Sequence, residues 1–261
     1  MPGEPMVFIQ CCVRGTIPSR LAEVLPAATT GDGGDGGDGG DGGDGDSKAS
    51  GVAVFYSISS PFAGLRGVPL GRLLIKQVQA RLAAEQPELH TFVTLSPVPG
   101  FRAWLEARLA RHTAEGDASD EARGLERLVR ALDAAGMRAS DPFETGLEDS
   151  IPLSGRADED LRKRHTAVRE ALVSLCARYL CLGKKRGRAL DPVAGFHLRN
   201  GATLVAVHPD ANPSPRGLRE SAGIMVNYQY RPELIEANHS DYVSHGTIAA
   251  APSVWQLIDG D

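Results

Sequence analysis

The stretch LDPVAGFHLRNGATL (Leu190–Leu204) contains both ends of a short helix and the strand that follows it. Asp191 is a residue type that caps helix N-termini, Pro192 suits the first turn, and Gly201 marks a stop. Ala202–Val207 (ATLVAV) then reads as a strand, so helix and strand meet at a tight corner. Outward from this corner the alternation continues. Downstream, Ile224–Tyr230 (IMVNYQY) is a second strand. Upstream, Leu161–Leu182 is the longest predicted helix, with Val168, Leu172, Leu175 and Tyr179 on one face and Gly183 as C-cap. Towards the N-terminus, strands are expected at Met6–Val13, Val52–Ile58 and His90–Leu95, with helices from about Pro69 to Ala84 and from Phe101 to Arg111. Strands interleaved with helices make a single α/β (α+β) domain.

Two stretches interrupt the pattern. Gly31–Asp46 consists of ten glycines and six aspartates, and reads as a disordered, solvated loop. Residues 112–158 are polar, with one amphipathic segment near Leu125–Ala135, and read as a variable insertion. Without the six tract aspartates the formal charge moves from −5 to about +1, which gives no basic surface for nucleic acid. No run of 18 apolar residues suggests a membrane span. The four cysteines, at 11, 12, 176 and 181, form no CxxC pair. With no recognisable leader, the expected setting is reduced and intracellular, cytoplasmic by default.

Chemistry can sit at three places. The turn from Gly64 to Arg72 (GLRGVPLGR) lies between a strand and a helix, where free N–H groups and a helix N-terminus favour an anion. It matches neither the dinucleotide fingerprint nor the P-loop, and a plain tight turn is the competing reading. Ser96 closes a strand on the rigid turn Ser-Pro-Val-Pro-Gly, a position that faces ligands in open sheets; a local helix cap is the alternative. His197 is a histidine in an otherwise apolar helix, where a satisfied core residue is commoner than a catalyst. His112 and His165, among charged neighbours, read as solvated. The seven histidines show no HxH or HxxxH spacing, so no metal site is expected. The basic run Gly183–Arg188 (GKKRGR) reads as a solvated helix end, with phosphate binding as the alternative.

Taken together, several segments resemble the malonyl-CoA decarboxylase family. They are VFYSIS (Val54–Ser59), GLRGVPLGRLLIKQV (Gly64–Val78), TFVTLSPVPGFRAWL (Thr91–Leu105), LCARYL (Leu175–Leu180), LDPVAGFHLRNGATL (Leu190–Leu204) and GIMVNYQY (Gly223–Tyr230), in that order along the chain. The resemblance starts at about residue 2 and makes residues 1–261 one catalytic domain, with the family's N-terminal helical domain absent. It implies a GNAT-like N-acetyltransferase fold, with a mixed, splayed sheet gripping coenzyme A. The helix–strand corner then falls where acetyltransferases carry a general-acid tyrosine, a place taken here by His197.

The implied activity is decarboxylation of malonyl-CoA to acetyl-CoA and carbon dioxide in fatty-acid metabolism. By resemblance, Ser96 and His197 are the catalytic pair, Ser96 orienting the substrate carboxylate and His197 protonating the enolate. Histidine titrates near neutrality, which suits that role. Arg66, Gly67, Val68, Pro69, Leu70, Gly71 and Arg72 match the substrate-binding segment, and Tyr230 is a further candidate for the pocket wall. Animal members carry a carboxylate where this chain has Pro69. No metal or organic cofactor is implied, because coenzyme A belongs to the substrate. The resemblance admits a homo-oligomer, and a mitochondrial or peroxisomal address, although no targeting signal is visible. An acyl-CoA-dependent N-acyltransferase and a non-catalytic CoA-binding remnant are the alternatives.

Overall fold

The computed structural model describes residues 8–25, 51–59, 70–115, 120–138, 140 and 157–259. The Gly/Asp tract at 31–46, and Arg66 to Pro69 of the expected substrate-binding segment, lie outside these residues. Eight strands are described: β1 (Phe8–Arg14), β2 (Val52–Ser59), β3 (Thr91–Thr94), β4 (Ser96–Pro97), β5 (Lys184–Lys185), β6 (Arg188–Ala189), β7 (Thr203–His208) and β8 (Met225–Gln229). The described α-helices are α1 (Leu70–Glu85), α2 (Phe101–Glu115), α3 (Asp120–Ala135), α4 (Ala157–Cys181), α5 (Pro192–Arg199), α6 (Pro215–Ser221), α7 (Ile235–His245) and α8 (Pro252–Asp259).

β1 pairs antiparallel with β2, and β2 runs parallel to β3. β3 and β4 both lie antiparallel to β8 in one continuous register, Val93 opposite Gln229 and Ser96 opposite Val226. β7 closes the other side of β8, with a register shift between Leu204 and Ala206. The sheet is therefore mixed, as expected, and β8, late in the chain, sits inside it.

Its central feature is a splay. The parallel pairing of β2 with β3 ends at Phe55 opposite Thr94. Beyond that point β2 continues to Ser59 against β1 alone, while the other strand continues as β4 against β8. Two wings diverge, and a cleft opens between them.

Strand alternation divides the core between the two faces of the sheet. Ala53, Phe55, Phe92, Val226, Tyr228 and Tyr230 join one apolar cluster with buried residues of α2, α3, α4, α5 and α8. Val52, Val54, Val93, Leu95 and Met225 join a smaller one with Val24 and Ala211.

Within the stretch read as a variable insertion, α3 buries Leu125, Leu128 and Leu132 in the main cluster beside Val168, Leu172 and Leu175 of α4. His165 is buried rather than solvated: it lies three residues before Val168, on the same apolar stripe. Charged sequence neighbours occupy the other faces of a helix and say nothing about this one. The basic run after α4 forms the hairpin β5–β6, whose two turn residues, Arg186 at φ 53° and Gly187 at φ 75°, are both left-handed. That is the combination a two-residue hairpin turn requires.

Candidate active site

The corner at 190–204 folds as its residues dictate. Asp191 is extended, and its Oδ1 accepts from the N–H groups of Val193 and Ala194, both at 2.9 Å, with Pro192 in the first turn of α5. Its Oδ2 accepts from the Gly100 N–H at 3.2 Å and from the Tyr179 hydroxyl at 3.4 Å. One carboxylate thus caps α5 and ties it to α2 and α4. Burial, the largest influence, raises the Asp191 pKa, and the backbone donors oppose that rise. Gly201 has φ 82°, and a Cβ there would lie 2.2 Å from the Ile235 carbonyl oxygen, so only glycine lets the chain turn from α5 into β7 against α7.

This corner presents His197 to the sheet. Its imidazole stacks on Tyr228, with ring centroids 4.5 Å apart at 20°, and Phe196 packs edge-on at 5.1 Å. Nε2 lies 3.1 Å from Ser96 Oγ, and Nδ1 lies 2.8 Å from the Tyr230 hydroxyl. Ser96 Oγ is also 2.9 Å from Thr94 Oγ1, to which it donates. Ser96 and His197 are 101 residues apart in the chain, and both are buried. The sheet explains their meeting. Thr94 and Ser96 are two residues apart in an extended segment and share a face with Tyr228 and Tyr230, the face α5 covers.

Ser96 and His197 lie on the wall of a cavity of about 660 Å³ that occupies the splay. Tyr56 and Ser57 line it from the β2 wing, Leu95 and Pro97 from the opposite wing, and Val193 and Phe196 from α5. Asn212, Arg216 and Gly217 form the outer rim, where Arg216 Nε pairs with Glu220 Oε1 at 3.0 Å. The volume falls within the usual range for a small-molecule site.

Burial holds the His197 pKa down to about 3. The imidazole sits in the last turn of α5, where the helix dipole favours a cation by up to about 2 kcal/mol. Desolvation outweighs that, because among the described residues no anionic side chain offsets the loss of water. The expectation that His197 titrates near neutrality is therefore corrected: in the free site it is neutral at pH 7. Its acidic group is a neutral N–H, not an imidazolium.

Sequence reasoning placed Ser96 and His197, and the fold brings them together. Tyr230 is buried behind His197 and does not line the described cavity. Leu70, Gly71 and Arg72 form the first turn of α1, while Arg66, Gly67, Val68 and Pro69 lie outside the described residues. Thr94 and Tyr228 were missed. For Thr94 and Tyr228 the signal was period two, each standing two residues before a residue already singled out.

Among known proteins, the model of the malonyl-CoA decarboxylase C-terminal domain matches residues 1–261 of this chain. The chain belongs to the malonyl-CoA decarboxylase family. The mitochondrial malonyl-CoA decarboxylase of Anser anser anser is 32% identical over 260 residues, covering 99% of this chain and 48% of its own length. That of Rattus norvegicus is 32% identical over 259 residues, covering 98% and 49%. The chain thus spans about half the length of these relatives. The crystal structure of the Rhodopseudomonas palustris malonyl-CoA decarboxylase superposes with a TM-score of 0.71 at 34% identity, over 97% of this chain and 49% of that one. The Agrobacterium vitis enzyme gives 0.72 at 34%, over 97% and 53%. The fold described here is accordingly that of the family's C-terminal domain. Among the described residues, no helix is long and apolar enough to cross a membrane.

Proposed function

We propose that the chain is a carboxy-lyase that converts malonyl-CoA to acetyl-CoA and carbon dioxide inside the cell, with Ser96 and His197 as its catalytic residues. The observation that carries this reading is the 3.1 Å contact between Ser96 Oγ and His197 Nε2, buried at the wall of the cleft where the sheet splays. The family membership agrees with it.

The reaction breaks the bond between the substrate carboxylate and the α-carbon. The bonding pair moves into the thioester carbonyl and gives an enolate, so the substrate supplies its own electron sink and calls for no metal or organic cofactor. Ser96 Oγ, held by Thr94 and His197, is placed to hold the leaving carboxylate out of the carbonyl plane, the geometry in which the breaking bond overlaps the carbonyl π system. The Nε2–H of His197 then delivers a proton to the α-carbon. A neutral imidazole suffices as the donor, because a thioester enolate carbon is a stronger base than the imidazolate left behind. The ring recovers its proton from water once carbon dioxide has left.

A low-charge site also serves the first step. Loss of carbon dioxide spreads a localised carboxylate charge over the enolate, and a site with little water stabilises the localised ion less than solvent does. Purified protein is incubated with malonyl-CoA and acetyl-CoA is followed by mass spectrometry. The wild type is expected to form product, whereas His197→Ala and Ser96→Ala each lose about 100- to 10,000-fold in turnover while still binding coenzyme A. Full turnover in both variants overturns the assigned roles.

A further inference from the structure

We infer that Asn227 is a positioning residue for the Ser96–His197 pair: its side-chain amide replaces a rung missing from the sheet where β3 passes into β4, and His208 holds that amide in place. The consequence for turnover rests on the decarboxylase reading; the geometry does not.

Val93 pairs with Gln229 and Ser96 with Val226, so Thr94 and Leu95 fall in a gap of the ladder along β8. In this register Thr94 stands opposite Tyr228, and side chains meet the backbone groups that face each other there. The Tyr228 N–H donates to Thr94 Oγ1 at 3.3 Å, and the Thr94 carbonyl accepts from Asn227 Nδ2 at 2.8 Å. The same Nδ2 donates to the Pro18 carbonyl at 3.2 Å. A buried carbonyl left without a donor costs about 1–3 kcal/mol, so the gap calls for such a group.

The orientation of the amide is set by partners that can act in only one way. A backbone carbonyl accepts and cannot donate, so the group facing Pro18 and Thr94 is the NH2. Oδ1 then points at His208 Nε2. An amide oxygen also only accepts, so that nitrogen carries a hydrogen and donates it. Asn227 and Thr94 are both buried, and water does not compete for the bond between them.

The place of Asn227 in β8 gives the clamp its consequence. On one side is Val226, the partner of Ser96; on the other is Tyr228, on which the His197 ring stacks at 4.5 Å. Its side chain grips the neighbouring strand two residues before Ser96. The platform of the imidazole and the strand of the hydroxyl are thus joined through one residue, and their 3.1 Å contact depends on that spacing. Without the amide, the donor opposite the Thr94 carbonyl is the Tyr228 N–H, and taking it draws Ser96 out of line with Nε2. The Pro18 bond reaches the segment that sends Leu21 to the cavity wall, but the Leu21 N–H is also held by the Ala211 carbonyl at 2.8 Å. Loss of the amide therefore acts on the reacting pair more than on substrate binding.

The test combines histidine nitrogen spectra and kinetics of the full chain. In the wild type His208 Nε2, assigned by the loss of its signals in His208→Gln, is expected to carry a hydrogen; a bare Nε2 overturns the clamp whatever the kinetics show. In Asn227→Ala the His197 signals are expected to move towards those of Ser96→Ala. Turnover of malonyl-CoA should fall by about 10- to 100-fold in kcat, with KM changed by less than about threefold. Lower stability with the His197 signals and kcat of the wild type overturns the positioning role. His208→Leu removes only the support of Oδ1 and is expected to lower kcat by about 3- to 10-fold, whereas His208→Gln keeps an N–H donor and recovers most of that loss. Should Asn227→Ala fail to fold, a His208→Leu protein with wild-type kcat and His197 signals overturns the proposal. A wild type that shows the His208 Nε2–H but forms no acetyl-CoA defeats the decarboxylase reading alone.

Discussion

His197 is where burial and chemistry meet most directly. With its pKa held near 3 by desolvation, it does not change charge between pH 5 and 8, the range in which an exposed histidine would. The pH profile of kcat/KM is therefore expected to show no break belonging to His197 in that range. Stability carries the matching signature. An unfolded imidazole takes up a proton near pH 6.5, whereas the folded one resists until about pH 3. The unfolded state thus binds more protons across that window, and stability falls as pH drops through it, by up to about 1.4 kcal/mol per pH unit. Asp191 acts in the opposite sense, because its raised pKa lets the folded state take up a proton first. Urea midpoints at pH 7, 5.5 and 4.5 should decline more steeply for the wild type than for His197→Gln. Equal slopes would show that the ring is solvated.

The helix α5 depends on Asp191 for more than its cap. Asp191→Ala removes the acceptor for two N–H groups of α5, for the Gly100 N–H and for the Tyr179 hydroxyl, and is expected to cost about 2–3 kcal/mol, above the typical cap alone. Asp191→Asn keeps the Oδ1 acceptor and should cost less than half as much, as read from chemical denaturation. The sequence announced this element because every signal was local: Asp, Pro and Gly in order within eleven residues, 191–201. Its partners were not local. α7 and α8 went without assignment, although α8 carries a proline in its first turn and buries Val254 and Ile258 four residues apart. An eight-residue helix offers too few turns for its period to stand out. The role of Tyr230 was misjudged in a similar way. An aromatic at the end of a strand can face a ligand or stand behind another side chain, and only the fold decides between them.

The domain as a whole is held by a core that includes α3, the element the sequence presented as an excursion. Leu128 is fully buried there, so Leu128→Ala is expected to destabilise the whole domain by about 2–5 kcal/mol in one cooperative transition. An early, partial transition would show instead that α3 is an accessory to an independent core. The cleft offers a complementary test. Val193→Trp fills the cavity from α5 and is expected to weaken coenzyme A binding by tenfold or more, measured by calorimetry, with little change in stability. Family resemblance supplied the architecture correctly, and it named two residues, Ser96 and His197, that the fold brings into contact. It could not supply the charge state of His197, because that depends on how completely three rings exclude water.

The place of β8 inside the sheet also has a consequence for how the molecule comes into being. It is flanked by β3 and β4, about 130 residues earlier in the chain, and by β7. A nascent chain emerging from the ribosome can form the β1–β2 hairpin and lay β3 beside it, yet the row of hydrogen bonds along β3 and β4 stays open until residues 225–229 arrive. Such long-range closure is slow and leaves an unsatisfied strand edge exposed in the meantime. Residues 225–229 must be made before the sheet closes and Ser96 meets His197, so premature termination anywhere before residue 225 leaves the two side chains apart and an adhesive edge exposed.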